Sequence, residues 1–164
     1  TLLEYLKFLL HTRYKGFYEK RIKTILAGSQ LVPAETVRMD AIIDGASRHL
    51  SPELGGEAIL TIGSALVEIV DVACGVIAIG PFGCMPNRLS ESILNEAMNS
   101  KDKIATDPGN MKLRSVLSDI DDLPFLAIES DGSPFPQLIN AKLETFCLRA
   151  ERLHQRIMAA SGRH

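Results

Sequence analysis

One thiol in this chain stands where an apolar run breaks into a tight turn. Cys84 lies in GPFGCMP, residues 80–86, between the run GVIAI and a helical pattern that starts at Asn87. Gly80 and Gly83 permit close backbone approach and positive φ. Pro86 falls where a first-turn proline is tolerated. The unpaired N–H groups of a helix's first turn suit an anion, a phosphate or a thiolate. Cys84 is therefore a candidate soft metal ligand or redox thiol. A second turn of this kind, ESDGSPFP at residues 129–136, follows the apolar run PFLAIE. It offers Glu129 and Asp131 to a cation or a polarised substrate, with Gly132 beside them. Pro134 or Pro136 stands near the next helix start. For Asp131-Gly132 the plainer reading as turn chemistry is preferred.

The other chemistry-bearing residues point nowhere in common. Cys74 and Cys147 lie in apolar runs and read as small buried hydrophobes. The spacing C-x9-C-x62-C cannot supply the four thiolates that a [4Fe–4S] cluster takes. One ligand of a shared site is still open to Cys84. The histidines, His11, His49, His154 and His164, form no metal-binding pair at helical spacing. No Walker A loop, GxGxxG, GxSxG or DxDxDG occurs. Gly55-Gly56-Glu57 reads as a helix start, with Glu57 at the positive end of the dipole.

These turns need elements to hold them. Residues 2–26 carry Leu2, Leu3, Leu6, Leu9 and Leu10 at helical spacing, which predicts one or two helices with a break at Gly16. Residues 34–46 predict a second helix, with Val37, Met39, Ile42 and Ile43 inward and Pro33 at its start. Residues 57–72 predict a strongly apolar, mostly buried helix. Residues 75–79 and 124–129 predict buried parallel strands. Helices are expected over 87–98, 113–120 and 137–160, with the polar stretch NSKDKIATDPGNMK as a connection. The fold class is α/β: a helix-rich N-terminal half, then a Rossmann-like strand–helix–strand–helix unit. Residues 1–50 form a helical lead-in and residues 51–164 an α/β domain. Two strands make a poor sheet, so it is expected to be part of a larger one. The chain also opens inside a helix-like pattern without Met, which adds to the expectation of a piece excised from a longer protein. If the two strands are neighbours, their turns face one crevice at the carboxyl ends, where open α/β sheets bind ligands.

At 164 residues, 46% hydrophobic and 23% charged, the composition is that of a globular domain. A net charge of −2 without a basic stripe argues against nucleic acid. Aromatics at 5% with no Trp argue against a stacking platform. No apolar run is long enough for a membrane span. Three irregularly spaced cysteines argue against a secreted disulfide framework, so a reducing cytoplasm is expected.

Two segments together resemble a known family. GVIAIGPFGCMPNR at 75–88 and DLPFLAIESDGSPFPQLINAKLETFCLRA at 122–150 are similar to the carboxy-terminal part of large activase-related proteins associated with 2-hydroxyacyl-CoA dehydratases. The resemblance is clearest over residues 51–150, including SPELGGEA, and fades before that. It implies a cytoplasmic, anaerobic system in which an ATP-hydrolysing module drives electrons to a low-potential cluster protein. It also implies Rossmann-like sheets, an iron–sulfur cluster shared with absent domains, and Cys84 as its ligand. Gly80, Pro81, Phe82, Gly83 and Pro86 would shape the pocket. The implied partners are other domains of a parent chain and an acyl-CoA dehydratase. A homo-oligomer is also open. The family's ATP-binding motifs and further cluster cysteines are missing here, so neither activity transfers to this chain alone. A non-catalytic module that binds acyl-CoA or a partner, with Cys84 structural, is the alternative. A free-standing enzyme with a Cys84 nucleophile ranks last, because no histidine has an evident partnership with it.

Overall fold

The computed structural model describes residues 2–31, 33–36, 38–54, 56–132 and 137–162. The chain divides into two compact units, Thr1–Arg38 and Met39–His164.

The first unit is built on α1 (Leu2–Ala27), a single helix that runs through Gly16 without a break. Nothing lies near a Cβ added at Gly16, so the glycine neither forces a kink nor receives a neighbour. Leu2, Leu6, Leu10, Tyr14, Tyr18, Ile22 and Leu26 recur every fourth residue. Each four-residue step rotates the row by about 40°, so it winds around the helix instead of forming one flat face. No residue of α1 is buried. Helices draw most of their stability from packing an apolar face. We therefore expect α1 amides in the isolated chain to exchange hydrogen at least ~100-fold faster than those of the buried helix α3. Equal protection in both helices would contradict this.

The second unit is α2 (Met39–Ala46), α3 (Ala58–Glu68), β1 (Val76–Pro81), α4 (Met85–Ala97), α5 (Ser100–Thr106), α6 (Met111–Val116), β2 (Phe125–Ser130) and α7 (Gln137–Ala160). Helix α2 starts later than residues 34–46 predict. Its buried residues, Ile42, Gly45 and Ala46, lie toward its carboxyl end, and residues 34–36 have no such anchor. Val37 lies outside the described residues. Helix α3 begins after Glu57, its N-cap, and stops at Glu68, short of residue 72. The chain there turns tightly: Val70 has a φ of 75°, and its N–H donates to the Ala73 carbonyl at 2.7 Å. A β-branched residue in that region is strained.

The polar stretch expected to be a connection contains α5. Asn99 caps it by accepting from the Asp102 N–H at 2.9 Å. Asn110 caps α6 in the same way at Leu113, so that helix starts and ends before residues 113–120 predict. Such caps satisfy amides that a helix cannot pair internally. Helix α7 runs as its periodicity predicts.

The core gathers on α3, with Ile59, Ile62, Ala65 and Leu66 packed among Leu94 of α4, Leu113 of α6 and Leu153 of α7. Strands β1 and β2 pair in parallel, from Val76 beside Phe125 to Pro81 beside Ser130, and form a two-stranded sheet among the described residues. At this level the fold is mixed, helix-rich α/β. Neighbouring side chains in a parallel pair share a face. On one face Leu126 and Ile128 are buried while their partners Ile77 and Ile79 are 40% and 61% exposed. Helix α7 lies along β2 and leaves the β1 half of that face uncovered.

Candidate functional site

The parallel pairing brings the two turns to one end of the sheet. Gly80 is level with Glu129, and Pro81 with Ser130. The chain leaves β1 through Phe82 and Gly83, whose φ of 74° is the left-handed conformation that favours glycine. Cys84 is the N-cap of α4, and its side chain makes no capping bond. Pro86 sits in the first turn of that helix, as its position in the sequence predicts. Cys84 is half-buried, between the exposed side chains of Phe82 and Met85.

The polar framework around the thiol includes two residues that sequence reasoning passed over, Asn87 and Arg88. Asn87 packs so closely on Gly80 that a Cβ there would lie 2.4 Å from the Asn87 Cγ. Gly80 thus leaves room for the Asn87 side chain against the strand, and a larger residue there would have to displace it. Arg88 donates to Glu91 at 3.1 Å and pairs with Glu129 at 2.6 Å. It therefore ties the start of α4 to the end of β2. The Glu129 side chain is 12% exposed and that of Arg88 55%, so the pair lies at the rim with its carboxylate turned inward. Two buried atoms here have no hydrogen-bond partner, Asn87 Nδ2 and Glu129 Oε1. Most buried polar groups are paired, so one spare donor and one spare acceptor beside the same glycine are unusual. In sequence, Asn87 and Arg88 look like ordinary helix-start residues, and nothing local distinguishes them.

The second turn is less informative. Gly132 has a φ of 89°, and its N–H donates to Ser130 Oγ at 3.0 Å, the turn chemistry expected of this segment. Asp131 is exposed. Pro134 and Pro136 lie outside the described residues, as do Gly55 and His164.

All three cysteines are free. Cys74 is partly buried against the core. Cys147 is exposed, which corrects the expectation of a small buried hydrophobe. Helix α7 buries Ala150 and Leu153, with Phe146 and Ile157 partly covered in the same row, and Cys147 is one residue out of that row. Among the described residues, no three of His, Cys, Asp and Glu come together as a metal site. The described residues at the Cys84 turn therefore do not make up a complete metal site. No helix among the described residues is long and apolar enough to cross a membrane. Compared with known protein families, curated proteins and solved structures, the chain matches none.

Proposed function

We propose that this chain is an accessory, Rossmann-like module of a cytoplasmic 2-hydroxyacyl-CoA dehydratase activase-type protein. In this reading the Cys84 loop contributes to an iron–sulfur or electron-transfer site completed by other domains. The observation that carries it is the placing of Cys84: an uncapped, half-buried thiol at the carboxyl end of a parallel pair, at the start of a helix. When bound, a cluster would supply one-electron chemistry. The chain's own part is to supply one sulfur ligand and to fix the loop through Arg88 and Glu129.

Iron and acid-labile sulfide in the anaerobically reconstituted parent protein test this. Cys84→Ser is expected to remove at least about half of the iron of that one site and its visible absorbance. Unchanged iron in the variant would overturn the reading.

The uncovered Ile77 and Ile79 face favours a second reading, a docking module for a partner or an acyl-CoA with Cys84 structural. Under it, Cys84→Ser leaves iron and partner binding intact, and Ile79→Lys abolishes docking.

A further inference from the structure

The opposite end of the sheet holds an open cleft of about 420 Å³, lined by charged and apolar residues. Its walls are the segment before β2, with Asp119, Asp121 and Asp122, and one face of α7, with Arg149, Arg152 and Arg156. Spacings of three and four residues put the three guanidinium groups on one side of the helix. They are not equally engaged. Arg156 pairs with Asp119 at 3.1 Å. Arg149 donates to the backbone carbonyls of Asp122 and Leu123 at 3.3 and 3.2 Å, and no carboxylate pairs with it. Arg152 has no hydrogen-bond or ion-pair partner among the described residues, and neither do the carboxylates of Asp121 and Asp122.

We infer that this cleft is a binding site for a small sugar phosphate. Arginine recognises phosphate through paired, charge-assisted hydrogen bonds, and Arg152 with Arg149 supplies such donors. Carboxylates accept from sugar hydroxyls, as an acidic residue does on ribose in dinucleotide sites. Asp121 and Asp122 hold that acceptor role beside the arginines. A bare anion would gain nothing from these carboxylates and would be repelled by them. The remaining walls are Ile120, Pro124 and Leu153, with no aromatic ring on which a base could stack, which favours a sugar phosphate over a nucleotide. The volume falls in the usual range for small-ligand sites. The cleft is separate from the Cys84 turn, because the six residues of β2 put roughly 17 Å between its two ends. It does not depend on the function proposed for that turn.

Calorimetric titration of the whole chain with ribose 5-phosphate, inorganic phosphate, ribose and adenosine monophosphate tests the inference. Ribose 5-phosphate is expected to bind at least about tenfold tighter than phosphate or ribose. Arg152→Gln, which removes no internal contact, should weaken it about tenfold or more. Asp121→Asn should weaken ribose 5-phosphate about threefold or more and leave or improve phosphate binding. Absence of binding at millimolar concentration, equal affinity for phosphate, tighter binding of adenosine monophosphate, or an unaltered Arg152→Gln protein would each overturn it.

Discussion

Gly63→Ala is expected to destabilise the second unit by roughly 3 kcal/mol, a large fraction of the stability of a small domain. A Cβ on Gly63 would lie 1.9 Å from the Ile42 carbonyl oxygen and 2.7 Å from its carbon. The obstacle is backbone, so no side-chain rotation relieves it, and α2 must move away from α3. That movement would open the contact formed by Ile42 and Ala46, which are 4% and 0% exposed. Alanine improves helix propensity by about 1 kcal/mol, which the clash outweighs. Gly16→Ala separates the two effects, because α1 has open space at that position. It should strengthen α1 by up to about 1 kcal/mol. Urea unfolding followed by far-ultraviolet circular dichroism measures both, and a Gly63→Ala protein as stable as the parent would refute the tight α2–α3 contact.

The second large effect is expected at Lys103. Its side chain is 1% exposed, and its ammonium donates to the Val67 carbonyl at 2.7 Å and to Asp71 at 2.8 Å. It thereby closes the carboxyl end of α3 and holds the turn containing the strained Val70. Lys103→Met keeps most of the buried stem and removes the charge. The Val67 carbonyl then loses this donor, while Asp71, whose side chain is 53% exposed, is resolvated by water. Loss of a buried charged hydrogen bond costs about 2–4 kcal/mol, and the exposure of Asp71 places this case toward the lower end. A double-mutant cycle with Asp71→Asn should give a coupling of roughly 1 kcal/mol. A change of less than about 0.5 kcal/mol in Lys103→Met would show that the ammonium does not secure the turn.

Lys103 also shows where sequence reading loses its grip. It lies in a stretch of charged and polar residues that reads as a solvated connection. Its burial depends on Val67 and Asp71, more than thirty positions away, and no local pattern encodes that. Helix α7 was legible because it is long and strongly periodic, and the existence of β1 and β2 because glycine and proline punctuate compact apolar runs. The expected burial of β1 is corrected, since Ile77 and Ile79 stand exposed on a face that no helix among the described residues covers. The premature end of α3 was not legible, since Val70 adopts a glycine-like conformation with no glycine to announce it. The placing of Cys84 at a helix start was legible from GPFGCMP. The roles of Asn87 and Arg88 were not, because each is defined by a partner on a strand, Gly80 for one and Glu129 for the other.

The division after Arg38 parts the ionisable groups unevenly. Residues 1–38 carry seven Lys and Arg against three Asp and Glu, leaving eleven against seventeen in residues 39–164. The intact chain is a weak anion at neutral pH. A single cut at that boundary would yield a cationic and an anionic piece, and the two would migrate toward opposite electrodes.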